Sequence, residues 1–293
     1  MPRKLVQQAV IGAFALALLA APVATFAPAP ALATQTPGAF HWARKTSQFT
    51  LQVGDNVDGD WNGMLGNVVS DWNKGGTVTF RVVGGATNPQ ECRPRTGTVQ
   101  MCNWQYGTQV GWLGLTRLYF NDRGDHIDAA TVQMNDSFLN AANSRYNSEA
   151  ARRHTMCHEL GHTPGLDHVD TNSCMNDSQN AVFNNVKPIN DDFQQLTRIY
   201  RHTDPSSTVA GAKNDKKKKN KKNGNNKKNR KNRGTRTTQN TNRPRDARAT
   251  SESFFDPASI PAAPDAADGT QTVTVERLDD GTKVVSFITW ANE

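Results

Sequence analysis

Apolar residues are scarce in this 293-residue chain. They make up 36% of it, where a globular protein carries about 45–50% with glycine counted. Part of the chain is therefore expected to be unfolded or removed. Long apolar runs are scarcer still. One stretch approaches helix length, and it sits at the extreme N-terminus; a multi-span membrane protein is excluded. Aromatic residues account for 8% and are absent from residues 211–250, so base stacking is not suggested there. Cysteine occurs four times.

The N-terminal run reads as a secretory signal over residues 1–33. Arg3 and Lys4 form a positive start, 9–20 is a short apolar core, and Ala31-Leu32-Ala33 is a small-residue cleavage site before Thr34. A membrane anchor is the rival reading; the short core and the Pro-rich sequence after it favour the signal. Secretion permits disulfides.

A net positive balance is absent from most of the chain, despite an overall net charge of +7 and a pI near 9.3. Lys+Arg minus Asp+Glu is +2 over residues 1–33, −3 over 34–210, +14 over 211–250 and −6 over 251–293. The basic character belongs to one tract. Residues 213–248 are Lys, Asn, Arg, Thr and Gly with almost no apolar side chain, so burial cannot offset the entropy of ordering them. This tract is expected to be disordered, followed by an Ala/Pro-rich linker to residue 270. It reads as a spacer or as a contact for polyanions or cell-wall polymers through counterion release.

Periodicity suggests strands over 48–53, 77–83, 113–120 and 129–134, and helices over 60–72, 148–162 and 190–200. Asp60, Ser148 and Asn190 are candidate helix caps. Residues 84–110 are rich in Gly, Pro and polar residues and read as an insertion loop. Segments 272–277 and 282–290, split by Asp279-Asp280-Gly281, read as a hairpin. A hairpin alone is marginally stable, so it must dock on something. The class is α+β or α/β.

One motif carries chemistry. Residues 158–168 read His158-Glu159-Leu160-Gly161-His162-Thr163-Pro164-Gly165-Leu166-Asp167-His168, the pattern HExxHxxGxxH. His158 and His162 leave one helix face and can bind one Zn²⁺. Pro164 and Gly165 end the helix, so the chain can return and offer His168. Three protein ligands with an open fourth position describe catalytic zinc; structural zinc is normally closed by four. Glu159 lies beside the first ligand, where it can take a proton from a metal-activated water. His154 reads as a surface residue, and His41, His126 and His202 carry no pattern.

The stretch resembles the metzincin clan of zinc endopeptidases, and the overall look is similar to a small secreted bacterial matrixin-like protease. The resemblance spans roughly residues 48–203. It implies an α+β catalytic domain over 34–210, with a twisted mixed sheet, an active-site helix, a Met-turn and a C-terminal helix. The disordered linker (211–270) and a small hairpin segment (271–293) follow. It implies Met175, in Ser173-Cys174-Met175-Asn176, as the Met-turn residue. It implies a substrate-binding edge strand at Ala129, Ala130, Thr131 and Val132, where a peptide pairs by β-augmentation, and a pocket wall over 176–188. Asp177 stands where some members carry a tyrosine ligand. No propeptide fits between Thr34 and the first strand, and Cys92-Arg93-Pro94-Arg95 lacks the matrixin cysteine-switch pattern, so latency by an N-terminal prodomain is not expected.

If the Met-turn lies beneath the metal, Cys157 and Cys174 can meet and clamp helix to turn, leaving Cys92 and Cys102 to close the insertion loop. Four cysteines allow three pairings, and Cys157 as a free thiol or metal ligand is the rival. Asp55, Asp58 and Asp60, and separately Asp122, Asp125 and Asp128, could bind Ca²⁺; ordinary turn and cap roles are the better reading. The expected function is a secreted, extracellular zinc-dependent endopeptidase acting on protein or peptide substrates. The basic tract would add a cell-surface contact, and the sequence does not determine the oligomeric state. The alternative is a catalytically silent, zinc-stabilised binding protein tethered by its basic tail.

Overall fold

The computed structural model describes residues 40–121, 123–211 and 272–291. The signal, the basic tract and Asp122 lie outside the described residues. No helix among those described is long and apolar enough to cross a membrane.

Seven strands form one mixed sheet. They are β1 (Phe49–Asn56), β2 (Val78–Gly84), β3 (Thr98–Trp104), β4 (Trp112–Phe120), β5 (Ile127–Asn135), β6 (Thr272–Arg277) and β7 (Lys283–Trp290). Their order across the sheet is β2-β1-β3-β5-β4-β7-β6. β1 runs parallel to β2 and β3, and β3 parallel to β5. β4 is antiparallel to both β5 and β7, and β6 closes the hairpin on β7. Helices α1 (Met64–Trp72), α2 (Asp136–Leu139), α3 (Glu149–His162), α4 (Ala181–Asn184) and α5 (Asn190–Ile199) complete the α+β fold. α3 packs on β4, β5 and β7, and α1 packs on α3 and β2.

The few aromatic residues are concentrated where they bury most. Trp42, Trp61, Trp72, Trp112 and Trp290 are all fully buried, and Trp104 is the exposed one. Trp42 pairs with Ile127 in an isolated parallel bridge, and its Nε1 donates to the Thr163 carbonyl at 2.8 Å. The segment before β1 is thereby stitched to the end of α3. Trp72 lies between helices, donating from Nε1 to the Cys157 carbonyl at 3.1 Å.

Four expectations need correction. First, residues 84–110 are not wholly an insertion loop, because β3 lies inside them, near the middle of the sheet. Its loop-like polarity comes from buried side chains that are hydrogen-bonded. Gln100 Oε1 accepts from Asn56 Nδ2 at 3.1 Å. Asn103 Nδ2 donates to Asp136 at 2.6 Å, and its Oδ1 accepts from the Asp58 amide at 2.9 Å. Buried polar groups are tolerated when so paired.

Second, Ala129, Ala130, Thr131 and Val132 do not form an edge strand. β5 is flanked on both sides: Ala130 faces Val99 and Leu118, Thr131 faces Gln100 and Arg117, and Val132 faces Met101 and Thr116. β3, hidden in the supposed loop, takes one side.

Third, α1 starts at Met64, not Asp60. A 3₁₀ turn over Gly59–Trp61 and the left-handed Gly63 (φ 78°) precede it. Fourth, Ile189 occupies the cap position of α5 rather than Asn190. Asp192 reaches back to accept from the Ile189 amide at 2.7 Å.

The C-terminal hairpin docks on β4 of the same chain, from Trp112 opposite Trp290 to Tyr119 opposite Val284, with one register shift between Trp112 and Gly114. Val284, Val285, Phe287, Ile288 and Trp290 are buried by it.

Trp72→Ala removes a buried indole and a hydrogen bond between two helices. It is expected to cost about 3–5 kcal/mol, read by urea unfolding with the disulfides intact. A loss below about 1 kcal/mol would show that the site collapses without penalty.

Candidate metal centre

α3 starts where the sequence suggests. Ser148 caps it, its Oγ accepting from the Ala151 amide at 3.1 Å. Fourteen residues later the helix ends at His162. Gly165 then adopts φ 95°, and the Phe40 carbonyl oxygen sits where a Cβ would stand. A side chain is thus excluded twice at this bend, by conformation and by space. The turn brings His168 back to the helix.

The three histidines of the motif converge. His162 Nε2 lies 3.0 Å from His158 Nε2 and 3.1 Å from His168 Nε2. Their other nitrogens are engaged elsewhere. His158 Nδ1 bonds to the Cys174 carbonyl at 2.7 Å and His162 Nδ1 to the Leu166 carbonyl at 2.9 Å. His168 Nδ1 faces Asp167 at 3.6 Å and Asp177 at 4.0 Å. A carbonyl accepts only from N–H, so the contacts of His158 and His162 place the proton on Nδ1 and leave Nε2 of both as a lone pair.

Burial keeps the rings neutral. Desolvation drives His158 well below its ordinary value, helped by its histidine neighbours. It takes His162 to about 3 and His168 to about 4. Neutral imidazoles are the form that binds metal. Four ligands at about 2.0–2.1 Å around a tetrahedral Zn²⁺ stand about 3.3 Å apart, close to the separations here. The donor set therefore fits a metal.

Glu159 is fully buried beside the triad. Its Oε2 accepts from Thr116 Oγ1 at 2.6 Å, and its Oε1 from Thr289 Oγ1 at 2.6 Å. Burial raises its pKa to about 7, partly offset by these two hydrogen bonds. β4 approaches closely here because residue 114 is glycine; a Cβ would meet the Glu159 carboxylate. Thr116 and Thr289 are site residues that sequence reasoning missed. Each is one hydroxyl in an alternating strand, with no local signal of what lies opposite.

Met175 lies buried under the helix, so close to Gly161 that a Cβ there would strike Met175 Sδ and the Trp72 ring. Cys157 and Cys174 are disulfide-bonded, which clamps α3 to this turn, and Cys92 and Cys102 form the second bridge. These are the pairings that the Met-turn argument suggested.

No family model matches the chain, and no curated protein does. Among solved structures, an archaemetzincin from Archaeoglobus fulgidus, complexed with malonate, is similar over 50% of this chain and 98% of its own. Its sequence identity is 16% and its TM-score 0.28. A likeness that slight carries no argument about fold or activity.

Other candidates fare differently. His154 is not at the surface: it is fully buried, its Nδ1 2.7 Å from the Asn185 carbonyl, and desolvation lowers its pKa to about 4. Calcium finds no support. Asp55 accepts from the Val57 amide, Asp58 from Asn103, and Asp125 pairs with His126. Among the described residues, neither cluster able to hold a cation contains an aspartate of the two proposed sets.

Gly161→Val should push α3 off Met175 and Trp72. The expected result is a stability loss of about 1–3 kcal/mol with weaker zinc uptake, checked by urea unfolding and zinc titration. Unchanged stability would show that the packing there has room.

Proposed function

We propose that this chain is a secreted zinc endopeptidase, with His158, His162 and His168 as metal ligands and Glu159 as general base. The observation that carries the reading is the convergence of three Nε2 atoms, those of His158 and His162 proton-free, at 3.0–3.1 Å beside a buried carboxylate. Without a shared cation these lone pairs repel. The signal-like N-terminus and the two disulfides support an extracellular setting. The Met-turn role of Met175 rests on its burial against Gly161.

Zinc at this site would supply Lewis acidity, lowering the pKa of a water and polarising the scissile carbonyl. The protein does the rest. The Cys174 and Leu166 carbonyls fix the tautomer and tilt of two ligands. Glu159, raised to about 7, sits where one carboxylate can accept the proton of the attacking water and return it to the leaving amine. Thr116 holds one of its oxygens and aims the other.

The edge that a peptide substrate needs is assigned to β4 in place of β5. β4 passes directly over Glu159, and its outer edge carries no strand of the 40–211 segment. The alternative, a silent zinc-stabilised binder, draws on the complete burial of Glu159 under the C-terminal hairpin.

Glu159→Gln keeps the shape and hydrogen-bond capacity and removes the base. It is expected to bind zinc with unchanged stoichiometry and to lose chelator-sensitive cleavage of a peptide library by about 10²–10⁴-fold. Equal rates for the two proteins would sink the assignment. Absence of cleavage in both, with zinc bound, would favour the silent binder.

A further inference from the structure

We propose that the chain holds a second metal site, structural in kind, formed by His41, His126, His202 and Asp204. None of these residues belongs to the motif, and three chain-distant segments bring them together. His41 precedes β1, His126 lies in the β4–β5 turn, and the other two follow α5. His126 Nε2 is 3.2 Å from Asp204 Oδ1. His202 Nε2 and His41 Nε2 lie 3.6 and 3.7 Å from the same oxygen, and 3.1 Å from each other.

The catalytic triad serves as an internal standard. Its adjacent rings stand 4.7 Å apart at 80° and 89°. His41 stands 4.7 Å from His126 at 84° and 4.7 Å from His202 at 86°. The four donor separations bracket the roughly 3.3 Å expected around tetrahedral zinc; His202 lies outside the mutual reach of the other three and has to turn inward to join them.

Two of the ligands, His126 and Asp204, are oriented from behind, as metal ligands usually are. Asp125 Oδ1 lies 2.8 Å from His126 Nδ1, fixing that ring. Arg44 takes the other oxygen of Asp204, with its amide at 3.0 Å and its guanidinium at 3.4 Å. Oδ1 is thereby left for the cluster. Asp204, His41 and His126 side chains are 8%, 13% and 17% exposed, and His202, at 46%, forms the rim. His41, His126 and Asp204 bring their ligand atoms within 4.8 Å of one another; His202, turned inward from the rim, would add a third nitrogen and fill the fourth position of a structural zinc.

The test is a metal count by native mass spectrometry on untagged protein loaded with zinc alone. Wild type should hold two ions, His162→Gln one, and His126→Gln one. Zinc at 100 times its Kd should raise the Tm of the His162→Gln protein by about 5–10 °C. If His126→Gln does not fold, the wild-type and His162→Gln counts suffice. A folded His162→Gln protein without zinc overturns the proposal. One ion kept by His162→Gln and lost by His126→Gln upholds it and defeats the proposed catalytic site instead.

A separate observation carries a second proposal, which rests on the peptidase reading. We infer that β7 is a built-in inhibitory strand. It pairs along β4 from Trp112 to Tyr119, occupying the edge an extended substrate would use. Phe287 stacks on the ligand His162, centroids 4.2 Å apart and planes 15° apart. Thr289 occupies one oxygen of Glu159. Substrate entry therefore requires β7 to leave.

Phe287→Asp in the full chain should unseat the strand. With cobalt in place of zinc, a small hydroxamate should perturb the visible spectrum of the variant at least about tenfold faster than that of wild type, the factor for 1.4 kcal/mol of opening. Peptide cleavage should rise with it. Equal hydroxamate access in both proteins overturns the proposal. Faster access with no cleavage in either upholds the inhibitory strand and defeats the peptidase reading. If the variant does not fold, hydrogen exchange of wild type decides. Amides of β7 should exchange while those of β3 and β5 stay protected, and equal protection overturns the inference.

Discussion

One helix buries more ionisable chemistry than its own backbone can satisfy. His154, His158, Glu159 and His162 are all fully buried on α3, within a nine-residue span. Removing such groups from water costs several kcal/mol each unless partners are supplied. The surrounding structure can be understood as that supply. The carbonyls of Cys174, Leu166 and Asn185 meet the three Nδ1 atoms. Two threonine hydroxyls meet the carboxylate. None of these partners lies in the helix, so the chain after His162 must double back beneath it. The Cys157–Cys174 bridge and the Met175–Gly161 contact hold that return in place.

The hairpin is part of the same accounting. Without β7, Glu159 Oε1 loses the Thr289 hydroxyl, and β4 exposes a full row of unpaired backbone groups. An unpaired edge is a template for another strand. The fold can close it with its own residues 283–290 or leave it to an incoming peptide, and the two states exclude each other. A strand that must be removable cannot also be indispensable to the core. Phe287 and Val285 join the main core cluster, yet β6 and β7 lie at the end of the sheet, where their departure breaks the β4–β7 ladder and leaves the pairing of β2, β1, β3, β5 and β4 intact.

The histidine triad of the candidate metal centre was legible in the sequence because it is local. Helical spacing and one bend bring together three ligands spread over eleven residues, and both operations leave marks: i, i+4 periodicity, then Pro164 and Gly165. Strands whose side chains alternate were legible for the same reason. β3 was not, because Gln100 and Asn103 are polar residues buried in a network with Asn56, Asp58 and Asp136, and a pattern based on apolarity reads such residues as solvent-exposed. From that omission followed the misplacement of the edge strand. Thr116 and Thr289 stood outside any local pattern, 43 and 130 residues from Glu159.

The two histidine clusters differ in the same way, and the difference bears on what each can do. The triad closes over a short loop, so little chain entropy is lost in forming it, and its ligands stay together while a neighbouring strand comes and goes. The second cluster joins residue 41 to residue 204. A cation there would restrain the start of the domain, the β4–β5 turn and the end of the domain at once, which is most valuable for stability and least useful for chemistry. With His202 turned in, three nitrogens and one carboxylate would leave no position for a substrate. The triad has only three ligands and a carboxylate that does not ligate. One cluster is built by sequence proximity, the other by the completed fold. On the proposal that β7 is released, a second anchor would have to lie away from that strand, and His41, His126, His202 and Asp204 all lie outside β7.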